Sequence, residues 1–193
     1  MSSPSLLVFA ETEVDERAVV TRLGGRPLAP KDFVWPSCGD CQRPLQFLAQ
    51  LVTSGAELLL LFSCHSTDCA IGGGPDLPSN RAVRVTASNS QLQQAPANTP
   101  LLPLTAVELM PFDQTNRPYD TARFDPGRFV FGMMGGVPDS VSRHVPHCTA
   151  CARPMGFIAS LEEGSLFNFA GVQAFVFACE GCTAAQLFVD DFF

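Results

Sequence analysis

A cysteine motif occurs twice in this chain, and the second copy matches the first without a gap. "PSCGDCQRPLQFLAQL" runs from Pro36 to Leu51, and "PHCTACARPMGFIASL" runs from Pro146 to Leu161, 110 residues later. Both copies read P-x-C-x-x-C-x-R-P-h-x-F-h-A-x-L, where h is an apolar residue. Because an internal repeat places the same local structure in the chain twice, the sequence predicts a fold built from two related halves.

The chain contains eight cysteines, which fall into four close pairs with two pairs in each repeat. Two close pairs with a longer stretch between them are the usual spacing of a tetrahedral zinc site, because each tight turn presents two thiolates to one ion at about 2.3 Å. Pairing within each repeat is the simplest choice and predicts two zinc ions. The ligand sets would be Cys38, Cys41, Cys64 and Cys69 in the first repeat, and Cys148, Cys151, Cys179 and Cys182 in the second.

The cysteine spacing leaves alternatives open. Disulfides are typical of small secreted chains, and a redox C-x-x-C pair usually occurs once, at the start of a helix. A histidine could also replace a cysteine ligand, since His65 lies within "CHSTDC" and His144 and His147 precede Cys148. Exposed loop histidines beside a metal site are the more common reading. Four thiolates leave no open coordination position, so the predicted sites are structural and favour a protein that is not an enzyme.

The other segments predict short strands joined by turns. Each leading cysteine pair is followed by an apolar run, and a second apolar run leads into the closing pair, which favours antiparallel hairpins. Further strands are expected in "RAVRVTA", "LTAVELMPF" and "AQLFVDDFF", and a weakly amphipathic helix in "VDERAVV". A Gly-Gly-x-Pro turn precedes each motif, and Gly24, Gly25, Gly135 and Gly136 are predicted to shape these turns.

These patterns predict an α+β fold that is predominantly antiparallel β, with two pseudo-repeat lobes that are each stabilised by a four-cysteine zinc site. The predicted arrangement is a single compact unit over residues 1–193. Its first lobe would be residues 1–87, and its second lobe residues 131–193. Residues 88–130, rich in Ser, Gln, Asn and Pro at their start, would be a linker and connecting segment.

Composition narrows the classes of function. Hydrophobic residues make up 46% of the chain, enough for a core, and no apolar run approaches the roughly 18 residues of a membrane span. The first residues lack a basic leader, so we expect no secretory signal and a soluble, cytoplasmic protein. The formal charge is -7. This charge disfavours nucleic-acid binding and favours a basic protein partner, although solubility alone also explains it.

Several stretches resemble a known family. "LGGRPLAPKDFVWP" resembles the opening of the bacterial YwqG-like proteins, a family of unknown function, and "HCTACARPMGFIASL" with "FNFAGVQAFVFACEGC" resembles the second half of their cysteine-bearing members. The layout is also similar to the eukaryotic programmed-cell-death-2 proteins of the wider superfamily. The resemblance covers residues 20–75 and 130–193. It implies a duplicated, largely β fold with zinc-binding cysteines. The sequence departs from this pattern at Ser160, which replaces the Gln50 of the first copy.

The resemblance also implies roles, because the eukaryotic proteins escort a newly made ribosomal protein and an RNA-processing role has been proposed for the superfamily. Three hypotheses follow. The first is a zinc-binding, non-enzymatic protein-interaction or chaperone-like module with an unknown partner. The second is an RNA-binding or RNA-processing protein linked to ribosome biogenesis. The third is a thiol redox sensor. The adjacent acids Glu162 and Glu163, and Asp190 and Asp191, do not make convincing catalytic pairs, because neighbouring residues of a strand point to opposite faces.

Overall fold

A computed structural model of the chain describes residues 3–53, 56–69, 78–116, 118–124, 128–138, 141, 145–162 and 172–191. These residues form β-strands, one short α-helix, α1 (Tyr119–Ala122), and a 3-10 helix of three residues (Ala87–Asn89). The strands are β1 (Ser5–Phe9), β2 (Arg22–Leu23), β3 (Leu28–Pro30), β4 (Gln46–Val52), β5 (Glu57–Ser63), β6 (Asn80–Thr86), β7 (Ser90–Leu92), β8 (Thr105–Pro111), β9 (Val130–Met134), β10 (Gly156–Glu162), β11 (Val172–Ala178) and β12 (Ala185–Asp191). The prediction of a mainly antiparallel β fold is confirmed.

The two apolar runs of each repeat form the expected hairpins. In the first lobe β4 pairs with β5, and in the second β10 pairs with β11, both in antiparallel register. The register shifts between Phe47 and Ala49 in β4 and between Phe157 and Ala159 in β10. These shifts lie 110 residues apart, so the repeat extends to a β-bulge at the same position of each strand.

Ten of the strands form one sheet in the order β12-β11-β10-β9-β1-β8-β2-β4-β5-β6, and β3 pairs with β7 in a second, small sheet. The large sheet divides into two halves of five strands. Strands β2, β4, β5 and β6 of the first repeat lie on one side, and β9 to β12 of the second repeat lie on the other. The two lobes are therefore the two halves of one sheet.

The centre of the large sheet exchanges strands between the repeats. β1 precedes β2, the strand that leads into the first Gly-Gly turn, yet it pairs with β9 of the second lobe. β8 precedes β9, the strand that leads into the second Gly-Gly turn, yet it pairs with β2 of the first lobe. β1 and β8 also pair with each other, with Phe9 opposite Val107. Each lobe is thus completed by a strand that belongs to the other repeat in chain order.

The sheet curls so that its outer strands, β6 and β12, lie against each other. Apolar side chains from both halves fill the space inside this curve. They form one shared core, which includes Leu7, Leu51, Leu61, Phe131, Leu161 and Val176. Burial of a large aliphatic or aromatic side chain contributes about 1.5–3 kcal/mol, so the shared core joins the lobes strongly. Separate clusters surround each set of cysteines on the outer face of the sheet.

Two segments differ in detail from the sequence interpretation. The helix expected through Val14–Val20 is wrong: this stretch forms turns, because the backbone N–H of Arg17 donates to Oδ1 of Asp15 and Glu16 binds Arg26 instead of a helical neighbour. The segment 88–130, interpreted as a linker and connection, contains β7, β8 and α1. Among the described residues, no helix has the length and apolarity needed to cross a bilayer.

Candidate metal centres

The eight cysteines form two groups, and the grouping within each repeat is confirmed. Cys38, Cys41, Cys64 and Cys69 make the first group, and Cys148, Cys151, Cys179 and Cys182 make the second. Within each group the four Sγ atoms all lie within 4.8 Å of one another. The short Sγ–Sγ distances are 3.9 and 3.7 Å in the first group and 3.4 and 3.5 Å in the second. Each cysteine is a free thiol.

The leading pair of each group lies in a knuckle, a tight turn with the same hydrogen bonds in both lobes. The N–H of Cys38 donates to the carbonyl of Arg43 at 2.8 Å, and the N–H of Cys148 donates to the carbonyl of Arg153 at 2.8 Å. The turn also needs a left-handed residue after the second cysteine, and Ala152 takes this conformation with φ of 58° in the second lobe. The two knuckles therefore present their sulfurs in the same way.

The closing pairs follow the second strand of each hairpin. In the second lobe the chain turns back after β11, and the N–H of Cys179 donates to the carbonyl of Ala184 at 2.9 Å. In the first lobe the N–H of Cys64 donates to the carbonyl of Ser79 at 2.8 Å. Each β-hairpin thus brings its closing pair to the same end of the sheet as the knuckle, which explains why residues far apart in sequence form one group.

Both groups fit a tetrahedral metal ion with sulfur ligands. If four sulfurs surround zinc at about 2.3 Å, tetrahedral geometry separates any two of them by about 3.8 Å. The four contacts of 3.4 to 3.9 Å lie close to this value and far above the disulfide bond length of about 2.05 Å. The other sulfur pairs of each group lie within 4.8 Å. Soft thiolate ligands in a tetrahedral set select zinc, copper(I) or iron among the biological metals. The geometry is consistent with two metal sites.

Backbone N–H groups aim at several of the sulfurs. The N–H of Arg43 lowers the pKa of Cys41 to about 7, and the N–H of Gly181 lowers the pKa of Cys179. Burial has the opposite effect and raises the pKa of Cys64. Burial disfavours a charged thiolate, and the amide N–H groups favour it. A bound cation would offset the cost of burying the thiolate charge.

The histidine alternatives receive no support from the described residues. The groups of potential ligands contain cysteine alone, and neither His65 nor His147 belongs to them. His65 Nδ1 is buried without a hydrogen-bond partner in the described part of the chain. His144 lies outside the described residues. Each group already supplies four sulfur atoms, the number that a tetrahedral site needs.

The two cysteine groups differ in exposure and in the contacts that hold their turns. In the first group Cys38, Cys64 and Cys69 are buried, whereas in the second Cys151 is exposed and Cys182 is half-buried. The closing turn of the second group is braced by a residue of the first lobe, Arg84 in β6.

Arg84 binds the turn between Cys179 and Cys182 through their backbone carbonyls. Its Nη1 donates to the carbonyl of Cys179 at 3.0 Å and to the carbonyl of Cys182 at 2.8 Å. Its Nε lies 3.3 Å from a carboxylate oxygen of Glu57 in β5, within ion-pair range but without hydrogen-bond alignment. No sequence pattern predicts this contact, because every residue carries a backbone carbonyl that could accept such a hydrogen bond.

The carboxylates considered as catalytic candidates do not form a catalytic pair among the described residues. Glu162 accepts hydrogen bonds from the hydroxyl of Tyr119 at 2.5 Å and from Nη1 of Arg123 at 2.7 Å. Burial raises the pKa of Glu162. This carboxylate fastens α1 to the sheet and so has a structural role. Glu163 and the side chains of Asp190 and Asp191 lie outside the described part of the chain.

The lobes also differ at one buried cross-strand pair. Arg22 lies opposite Gln50 in the first lobe, and Met133 lies opposite Ser160 at the equivalent place in the second. Gln50 donates its Nε2 to the carbonyl of Val20 at 3.0 Å, which ties the preceding loop to β4. Ser160 Oγ is buried and has no such partner among the described residues. The polar pair of the first lobe is thus a structural link that the second lobe lacks.

A scan against protein-family models and a search of curated proteins found no match for this chain.

Proposed function

We propose that the protein is a zinc-binding, non-enzymatic protein-interaction module with two structural zinc ions. The observation that carries this proposal is the convergence of four sulfurs in each lobe. A four-thiolate site has no open position for water or substrate, so its ion fixes loops and contributes folding free energy. Zinc suits this role better than copper or iron because it has no redox chemistry of its own.

Charge supports a basic protein as the partner. The chain carries a formal charge of -7 with cysteines neutral. Four thiolates and one zinc ion add -2 at each site, and two filled sites bring the formal charge to -11. Such a surface repels phosphate backbones and attracts lysine-rich and arginine-rich segments. The resemblance to the programmed-cell-death-2 proteins supports the same choice, including a chaperone-like role.

The proposal includes a cytoplasmic location. Eight reduced cysteines are typical of compartments in which glutathione and thioredoxin keep thiols reduced, and metal binding protects them further.

Metal content tests the first part of the proposal. Elemental analysis of the protein purified without added metal should give two zinc ions per chain. A zinc content near zero, with eight thiols free to react under native conditions, would contradict it. Binding tests the second part. Fluorescence anisotropy should detect a labelled lysine-rich peptide at low salt, but not a glutamate-rich peptide of the same length. Binding of single-stranded RNA in place of the lysine-rich peptide would overturn the proposal and favour the RNA-binding hypothesis.

A further inference from the structure

Two adjoining clefts lie at one end of the large sheet, where β1 ends and β8 begins. The larger has a volume of about 760 Å³ and the smaller about 400 Å³. They share Ala10, Glu11 and Thr12, so together they make one groove that we call the central groove. The other lining residues that bear on binding are Phe9, Glu108, Arg128 and Phe129 in the larger cleft, and Glu13 and Leu104 in the smaller.

The central groove has an apolar wall that the core supports. Phe131, which is buried, stacks on Phe9 with ring centroids 4.6 Å apart, and Phe9 stacks on Phe129 at 5.3 Å. Phe129 is 59% exposed, and Leu104 on the smaller cleft is 36% exposed. An exposed aromatic ring held by two stacked rings is a firm, flat surface against which an aliphatic stem packs.

The rim of the central groove is acidic. Glu11, Glu13 and Glu108 are exposed, and they supply three carboxylates to the described lining. Arg128 supplies the one guanidinium in that lining, and it is paired with Glu108 at 2.5 Å. Glu11 lines both clefts, and Glu13 lines the smaller one. The groove therefore combines an apolar wall with a negative rim.

We propose that the central groove is the surface on which this protein binds a basic segment of its partner. This inference rests on the proposed function and adds the place of binding. Lysine and arginine match the groove because their apolar stems lie along Phe129 while their charged ends reach the carboxylates of Glu11 and Glu13. A cation over an exposed aromatic ring adds a further attraction. The carboxylates disfavour a phosphate backbone and an anionic lipid surface at the same place.

The test measures binding of the labelled lysine-rich peptide to three variants of the full-length, metal-loaded protein. Glu11→Lys/Glu13→Lys reverses the rim charge, and Phe129→Ser removes the apolar wall. Asp32→Lys is the control, because Asp32 is exposed and does not line the groove. We expect the double variant to bind at least about tenfold more weakly and Phe129→Ser about fivefold more weakly, while Asp32→Lys stays within about twofold.

The outcomes separate this inference from the proposed function. If the peptide binds the unaltered protein, and the groove variants bind as well as Asp32→Lys, the groove is the wrong surface and the proposed function stands. If the peptide does not bind the unaltered protein at all, both are overturned. The double variant changes the net charge by +4 and Asp32→Lys changes it by +2. A loss of binding free energy in the double variant that is only twice the loss in Asp32→Lys, together with full binding by Phe129→Ser, would show binding to net charge alone, which also refutes the groove. Zinc content and the unfolding midpoint of each variant establish that the substitutions at exposed positions leave the fold intact.

Discussion

Replacing Arg84 by methionine tests how far the second cysteine group depends on the first lobe. Arg84 lies in β6, and its side chain is 17% exposed between the two curling edges of the sheet. It donates to the carbonyls of Cys179 and Cys182, which begin and end the closing turn. Methionine keeps most of the apolar stem and removes the guanidinium, so the substitution deletes the hydrogen bonds with little loss of packing.

The size of the effect follows from these contacts. A hydrogen bond from a charged donor contributes about 1.5–3 kcal/mol, with the lower value apt for the carbonyl of the half-buried Cys182, which water can reach in the variant. The ion pair with Glu57 adds about 0.5 kcal/mol, because the carboxylate is 34% exposed and therefore screened. We expect Arg84→Met to lower the free energy of unfolding by about 4 kcal/mol. This corresponds to a fall in Tm of about 8–16 °C.

Two measurements check this expectation. Urea unfolding gives the stability change, and timed alkylation with peptide mapping gives the reactivity of each cysteine. Cys179 and Cys182 should react faster in Arg84→Met, while Cys64 should react at its original rate.

The control for this prediction is Arg17→Met, which removes the same charge from an exposed position in the loop before β2 and should change stability by less than about 0.5 kcal/mol. Equal stability and equal alkylation rates in the Arg84 and Arg17 variants would refute the bracing role.

Three further predictions concern the metal, a turn and pH. Cys148→Ser should reduce the zinc content from two ions to one and lower the Tm strongly, because an incomplete site forfeits metal-linked folding free energy; unchanged zinc and Tm would contradict the ligand assignment. Gly24→Ala should lower the free energy of unfolding in urea by at least about 2 kcal/mol, because φ is +60° and a Cβ would overlap a backbone carbonyl before β8. In the control Gly156→Ala the new Cβ would have no atom closer than 3.7 Å, so the free energy of unfolding should fall by less than about 0.5 kcal/mol. The hydrogen bonds of Arg26 hold the pKa of Glu16 below its ordinary value of 4.5. Glu16→Gln should therefore be less stable than the unaltered protein by about 1 kcal/mol at neutral pH. This stability deficit should vanish as pH falls through the lowered pKa, because the unaltered protein then loses the charge of Glu16 as well. A deficit that persists in acid would exclude the ion pair as its cause.

Local patterns sufficed to predict the hairpins and the cysteine groups. The C-x-x-C knuckles and the apolar runs are contiguous in sequence, and their geometry depends on neighbours a few residues away. Cys38 and Cys64 meet because one hairpin joins them, and a hairpin is a local structure. The 110-residue offset then applies the same reasoning to the second copy.

The exchange of β1 and β8 could not be predicted in this way. Apolar residues make up most of both strands, and either strand would satisfy the pattern of either lobe, so the choice depends on the path of the connecting chain. The contact of Arg84 with the other lobe follows from that same closure of the sheet. The missing helix at Val14–Val20 has a related cause, since Glu16 and Val20 bind partners in other segments rather than their helical neighbours.

The exchanged strands have a consequence for the order in which the molecule forms during synthesis. During synthesis β1 leaves the ribosome before its neighbours β8 and β9, which begin at Thr105 and Val130. β1 must therefore wait, unpaired, until the chain has emerged as far as β8. A nascent chain of this kind exposes an apolar, unpaired strand for longer than a chain in which sequential strands pair. Its folding rate depends on the late, long-range pairing of β1 with β8 and β9.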